Sequence, residues 1–374
     1  MIYVIKKDGT KELFNSRKIV AAVNKSAARI LYTFSEEEQD FICRFAEEHA
    51  ASLGKNEIQI QEMHNIVEGA LERVNPAVAK SYRDYRNYKL DFIHMMDDVY
   101  TKSQAIRYIG DKSNANTDSA LVATKRSLIF NELNKELYRK FFMNRNELQA
   151  CKDGYIYIHD QSARLDTMNC CLFDVAAVLS GGFEMGNVWY NEPKTLDTAF
   201  DVMGDIILST AAQQYGGFTV PEVDKILAPY AKKSYDRYVE EFMKYSDPSW
   251  VGREEKAIER ALDKVRREYD QGWQGIEYKL NTVGSSRGDY PFVTVTLGLG
   301  TGQFEKMCSM SLLAVHKGGQ GKAGHKKPVL FPKIVFLYDE NIHGKGKISE
   351  DVFEAGVDCS AKTMYPDWLS MSGK

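Results

Sequence analysis

The chain has 374 residues (42.5 kDa), 44% hydrophobic and 27% charged, an ordinary globular composition with room for two or three domains. A formal net charge of −3 excludes a nucleic-acid coat protein, and with no long uncharged apolar run and no apolar stretch behind the basic start, neither a membrane span nor a signal peptide is expected. The six cysteines include no CxxC pair, which excludes a zinc ribbon and a thioredoxin-type motif, gives no metal site, and predicts reduced thiols in a cytoplasm.

Residues 1–95 read as a small separate unit. "YVIKKDG" and "KELF" form a hairpin signal with its turn at Asp8-Gly9. "NSRKIVAAV" starts a helix capped by Asn15 or Ser16, and "SEEEQDFICRFAEEHAASLG" starts another at Ser35 and stops at Gly54. "IQIQEMHNIVEGALERV" and a helix opening at Pro76 complete a hairpin with about four helices. Residues 96–150 are mostly helical and interrupted by a polar loop, 110–120, forming a connection. From 151 strands alternate with helices, which predicts an α/β architecture with parallel pairing. The expected strands are "GYIYIHD", "YPFVTVTLGLG" and "PVLFPKIVFLYD"; the expected helices are "TLDTAFDVMGDIILSTAAQ", a polar stretch through 222–275, and "QFEKMCSMSLLAVHKG".

Two local patterns carry chemistry. Lys6, Lys7, Lys11 and Lys18 surround the hairpin and a helix start, with Gly9 free to turn tightly. They are either a triphosphate site or a solvated lysine patch. Cys170 and Cys171 stand side by side in "DTMNCCLFD", where a mutual disulfide would strain the peptide between them. Either both are small apolar fillers, or one is there for its sulfur.

The order of the N-terminal elements resembles an ATP-cone, the nucleotide-sensing module of ribonucleotide reductases. That resemblance implies ATP or dATP as allosteric effectors, with Lys6, Lys7, Lys11 and Lys18 on phosphate or base and Gly9 shaping the loop. Further on, "NANTDSALVATKRSLI", "GYIYIHD", "NCCLFD", "QQYGGFTVPEVDKILAPY", "PFVTVTLGLGT", "FPKIVFLYDENIHG" and "DCSAKTMYPD" resemble, block by block, the anaerobic glycyl-radical (class III) ribonucleoside-triphosphate reductases. The resemblance implies part of a ten-stranded α/β barrel over residues 151–374 and reduction of ribonucleoside triphosphates by radical chemistry. Cys170 is then the hydrogen-donating thiol and Cys171 a buried neighbour. From its place at a strand's carboxyl end, His159 is expected either to hydrogen-bond substrate ribose or base or to be a satisfied core histidine. Asn169 would hold a substrate hydroxyl, and Gly216 and Gly217 would bring backbone close to a ligand. Arg287 would meet phosphate or stand solvated in its loop.

Members of that family also use a finger-loop cysteine, a four-cysteine zinc site and a radical-storing glycine, all expected beyond "MYPDWLSMSGK". Cys308 and Cys359 lie on helical patterns without the family's radical surroundings. The chain therefore reads as an N-terminal portion, inactive alone, or as half of a split enzyme completed by a second chain. A homodimer and a radical-SAM activating enzyme are the implied partners. The competing readings are a non-catalytic nucleotide-sensing regulator and a glycyl-radical enzyme acting on a carbon acid.

Overall fold

A computed structural model of the chain describes residues 2–109, 120–164, 168–282, 284 and 288–372. Most of the loop expected at 110–120, and Arg287, lie outside these residues. The chain divides into one compact unit through Thr101 and a second from Lys102.

In the first unit, β1 (Tyr3–Ile5) and β2 (Lys11–Leu13) pair antiparallel as the sequence predicts. The turn between them needs Gly9 at φ 81°, and the Asp8 carboxylate accepts the Thr10 N–H at 3.0 Å. Asn15 caps α1 (Ser16–Ala28) by accepting the Arg17 N–H, and Ser35 closes a capping box with Glu38 at the start of α2 (Glu36–Ser52). A third strand, β3 (Glu57–Gln59), pairs parallel with β1. The sequence reading gave Ile58 and Gln59 to the start of a helix. Burial of Ile58 between exposed Glu57 and Gln59 is the strand alternation that a three-residue run shows too briefly. α3 (Ile60–Val74) and α4 (Pro76–Ile109) follow, and Val23, Ile42, Ile58, Val67, Leu71 and Val78 form the core.

The second unit opens with α5 (Val122–Phe141) and α6 (Arg145–Lys152). Residues 155–158 are not a strand: Tyr155 and Tyr157 are 84% and 85% exposed and Ile156 44%, so the alternation has no face to bury. β4 (Cys171–Leu172), α7 (Val175–Leu179), the hairpin β5 (Phe183–Met185) and β6 (Val188–Tyr190), and α8 (Leu196–Gln213) come next. Then β7 (Phe218–Val220) leads into α9 (Val223–Tyr245) and α10 (Arg253–Thr282). The polar run through 222–275 thus holds two helices, broken where Pro248 and Gly252, at φ 77°, stop continuation. β8 (Val293–Leu297), α11 (Gln303–Gly318), β9 (Lys333–Tyr338), α12 (Glu340–His343), α13 (Glu350–Thr363) and β10 (Asp367–Ser370) complete the described elements.

Five strands form one all-parallel sheet in the order β10-β9-β8-β7-β4, each joined to the next through helix. The core lies between sheet and helices and includes Phe218, Val293, Leu297, Phe336, Tyr269 and Trp273. α10 shows why the helices sit there: Ala257, Ala261, Val265, Tyr269, Trp273, Ile276 and Leu280 are buried at helical spacing on an otherwise charged helix. At the carboxyl end of β8 the buried Asp224 carboxylate accepts the N–H groups of Gly298 (3.0 Å) and Gly300 (3.1 Å), although burial raises its pKa.

Two glycines three apart on α10 make a stability test. A Cβ on Gly272 would stand 2.2 Å from the Phe200 ring, whereas one on Gly275 would meet nothing within 4 Å. Gly272→Ala is expected to destabilise by about 1–3 kcal/mol through overpacking, and Gly275→Ala to stabilise by up to about 1 kcal/mol through helix propensity. Denaturant unfolding of both variants checks the opposite signs.

Candidate active site and effector cavity

Cys170 immediately precedes β4, and its side chain is exposed. Its position is set by the neighbouring strand. The Gly216 N–H donates to the Asn169 carbonyl at 2.6 Å and the Tyr215 N–H to the Met168 carbonyl at 3.0 Å. A Cβ on Gly216 would lie 2.3 Å from the Asn169 carbonyl oxygen and 2.7 Å from Cys170 Sγ. Gly217 is closed in the same way, by the Phe292 ring at 2.1 Å. The two glycines were expected to bring backbone to a ligand; their open sides are filled by Asn169, Cys170 and Phe292.

The Asn169 Nδ2 donates to Asp160 Oδ2 at 3.1 Å, and His159 Nδ1 reaches the same oxygen at 2.6 Å. His159, Asn169, Cys170 and Gly216 are therefore brought together, with Asp160 as the hub. The cluster stands at the amino ends of β4 and β7, because Cys171 pairs with Phe218 at the first residue of each strand. The sequence expectation of carboxyl ends rested on a strand at 155–158 that does not form. Asp160 itself adopts a left-handed conformation (φ 53°, ψ 41°), one that Asp tolerates, and its carbonyl accepts the Ala163 N–H at 2.9 Å.

Cys171 differs from its neighbour. It is partly buried against the core, its thiol donates to Gln214 Oε1 at 3.2 Å, and its pKa is raised by burial and then by the adjacent Cys170. Gln214 Nε2 in turn donates to the Gly216 carbonyl at 3.1 Å, so this glutamine ties both cysteines' surroundings together. Asp160 was expected beside His159 at the strand end without a role of its own, and Gln214 stood only as the first residue of "QYGG"; the structure gives each its hydrogen-bonding part. Cys308 and Cys359 are fully buried in the core. Among the described residues no three His, Cys, Asp or Glu side chains gather as a metal ion needs, and no helix is long and apolar enough to cross a membrane.

The first unit holds a cavity of about 170 Å³ lined by Lys6, Glu12, Asn15 and Lys18 and walled by Val4, Phe14, Ile19 and Met63, with His64 and Tyr82 also in its lining. Glu12 binds Lys6 at 2.5 Å and also pairs with Lys18. His64 Nδ1 and the Tyr82 hydroxyl are 2.6 Å apart. Burial, then the positive charges of Arg86, Lys7 and Lys89, lower the His64 pKa, and burial pushes Tyr82 up to about 12. Lys7, Gly9 and Lys11 do not line this cavity, and Lys11 is held by Glu57 at 2.6 Å. The added strand β3 explains this, since Glu57 stands beside the hairpin only because β3 pairs with β1. Glu12, Asn15, His64 and Tyr82 carry no spacing signal of their own and become visible only once the cavity is assembled.

A basic cavity on a small α+β unit, followed by a parallel α/β sheet with a thiol at its edge, defines a cone-bearing α/β protein of the reductase type. Family comparison agrees unit by unit: residues 2–91 match the ATP cone domain and residues 113–374 match anaerobic ribonucleoside-triphosphate reductase. The chain belongs to the anaerobic ribonucleoside-triphosphate reductase family. It is 31% identical over 382 aligned positions to the anaerobic ribonucleoside-triphosphate reductase of Haemophilus influenzae, covering 98% of this chain and 52% of that one. It is 34% identical over 260 positions to that of Enterobacteria phage T4, covering 69% and 41%. The chain thus spans about half the length of the curated relatives it matches. A solved anaerobic ribonucleotide reductase from Thermotoga maritima, with glycerol in the active site, superposes with a TM-score of 0.52 at 15% identity, covering 78% of this chain and 50% of that one. That likeness is one of fold, and the five parallel strands are part of its α/β barrel.

The two cysteines are expected to react in order. Exposed Cys170 should alkylate on the order of tenfold faster than Cys171, whose thiolate forms only at higher pH because its pKa is raised. Gly216→Ala, which drives a methyl group into Cys170 and Asn169, should alter the Cys170 rate and leave Cys43 unchanged. Mass-spectrometric mapping of iodoacetamide labelling against time and pH reads both.

Proposed function

We propose that this chain carries the effector-sensing cone and the hydrogen-donor part of the active site of an anaerobic reductase, which converts ribonucleoside triphosphates to 2′-deoxyribonucleoside triphosphates by radical chemistry. The observation that supports it most is an exposed thiol, Cys170, held beside Asn169 and His159 by backbone and side-chain bonds rather than walled into aliphatic packing. A thiol suits this chemistry because its S–H bond is weak enough to yield a hydrogen atom to a carbon radical. Asn169 then holds a ribose hydroxyl, and Cys171 supports the strand.

The rest of the barrel, the finger-loop cysteine, the zinc site and the radical-storing glycine belong on this reading to sequence outside these residues, supplied by a longer chain or a second one. Two features leave room for them. Among the described residues β4 and β10 have no second neighbour, and all four residues of β10 are exposed. The reading also includes a cytoplasmic homodimer activated by a radical-SAM enzyme.

ATP and dATP are assigned to the cone cavity, where Lys6 and Lys18 face phosphate and the apolar wall faces the base. A nucleotide at about a hundredfold over its Kd should stabilise the cone by roughly 2.7 kcal/mol, read as a melting shift. Glu12→Gln, which frees both lysines, should change that shift, and Lys11→Gln should not. In turnover, the chain alone should form no deoxynucleotide. Completed by the remainder of the enzyme and its activase, it should be active, Cys170→Ser inactive and Cys171→Ser active. Turnover surviving in Cys170→Ser would overturn the assignment of Cys170, whereas a completed assembly that forms no deoxynucleotide while nucleotide still shifts its melting would make a nucleotide-sensing regulator the better description.

A further inference from the structure

We propose that His159 and Asp160 form a proton-shuttling dyad that moves one proton between the adjacent 3′- and 2′-hydroxyls of the ribose. The inference rests on the reductase reading and adds a catalytic residue to it. A carboxylate can only accept, so at 2.6 Å His159 Nδ1 must carry the hydrogen that Asp160 Oδ2 receives. In the neutral ring this leaves Nε2 with a lone pair, on a side chain 76% exposed. The same carboxylate oxygen accepts the Asn169 Nδ2–H at 3.1 Å, and Asn169 is the residue before Cys170. One partly buried carboxylate therefore orients the imidazole and the residue leading into the thiol together.

Local geometry also positions the dyad. Asp160 adopts its left-handed conformation at the start of a short 3₁₀ turn, Gln161–Ala163, whose last N–H returns to the Asp160 carbonyl. The Tyr157 ring meets the imidazole edge-on at 6.1 Å between centroids. The Asp160 contact thus selects one tautomer of His159 and leaves Nε2 without a hydrogen-bond partner among the described residues.

The step balances without an added reagent. In a ribose bearing an unpaired electron at C3′, loss of the 2′-hydroxyl as water needs a proton on the departing oxygen and removes one from the 3′-hydroxyl. Nε2 accepts the 3′ proton, Asp160 stabilises the imidazolium, and Nε2 gives that proton to the 2′ oxygen as the C2′–O bond breaks with its electron pair. The 3′ carbon becomes a carbonyl carbon, and the unpaired electron moves to C2′. Cys170 then delivers its hydrogen atom to C2′ and keeps the unpaired electron on sulfur. The imidazole ends neutral, as it began. The ligand required is a vicinal ribose diol.

Nitrogen NMR of the full chain labelled with ¹⁵N-histidine tests this, with His159→Gln for assignment. His159 should appear as the Nδ1–H tautomer, and Asp160→Asn should shift it toward Nε2–H. In the chain completed by the remainder of the enzyme, saturating CTP should move the Nε2 resonance, and 3′-deoxycytidine triphosphate should not, a difference that a merely structural histidine would not show. An Nε2–H tautomer in the unaltered chain, or an Nε2 indifferent to CTP in the completed enzyme, would overturn the dyad. Either result in a chain whose Cys170→Ser variant abolishes completed turnover sinks the dyad alone and leaves the reductase reading standing.

Discussion

The contact between the Gly216 peptide and the Asn169–Cys170 segment holds the site together. It is one hydrogen bond of 2.6 Å and one missing methyl group. Any Cβ at 216 would fall within bonding distance of an oxygen and a sulfur, so the strand before Cys171 comes this close to β7 only because residue 216 is glycine. The next row repeats the device. Gly217 accommodates the Phe292 ring, Phe292 packs edge-on against Phe331 at 5.3 Å, and Lys333 Nζ lies 4.7 Å over the same ring. Register carries the thiol's position across the sheet: Cys171 opposite Phe218, Phe218 opposite Val293, Thr294 opposite Lys333. Cys170 is exposed, yet its backbone is fixed by four strands of a buried sheet.

On the proposed reading, a backbone held in this way serves hydrogen-atom transfer, which needs donor and acceptor atoms at short range and gains much of its rate from being held there. The polar groups around Cys170 are satisfied among themselves. Asn169 gives its amide to Asp160, Cys171 its thiol to Gln214, and Gln214 its amide to Gly216. Among the described residues, the Cys170 thiol and one side of the His159 ring have no hydrogen-bond partner. On the proposed reading these are the two groups that touch the sugar, one moving a hydrogen atom and the other a proton.

Much of this was legible in the sequence, unevenly and for physical reasons. Long periodic segments declared themselves: α8, α11 and the buried strands β8 and β9 follow directly from apolar spacing. The caps at Asn15 and Ser35 are where side-chain chemistry placed them. Short elements were less legible. β3 has three residues and β4 two, too few for alternation to stand out, and they exist because a neighbouring strand offers pairing. The reverse error fell at 155–158, where perfect alternation of Tyr and Ile found no sheet to join. The paired cysteines were separable only by resemblance; the structure separates them by exposure, with Cys170 outside and Cys171 against the core. Lys11 lies outside the cavity that Lys6 and Lys18 line, because proximity in sequence says nothing about which side of a hairpin a side chain takes, and β3 brings it an acid of its own.

The two units place a carboxylate between two donors, and burial makes the pairs behave differently. In the cone, Glu12 holds Lys6 and Lys18, side chains 49% and 65% exposed. Exposed pairs of this kind contribute about 1 kcal/mol or less, so a triphosphate bound as proposed, with more charge than one carboxylate, would displace Glu12 at little cost. In the second unit Asp160, 18% exposed, holds His159 and Asn169. Hydrogen bonds to a partly buried charge contribute roughly 1.5–3 kcal/mol each, and a neutral ribose has no group that could replace the carboxylate. On the proposed reading, the same arrangement exchanges partners where an effector comes and goes, and stays fixed where a reacting sugar finds its partners already aimed.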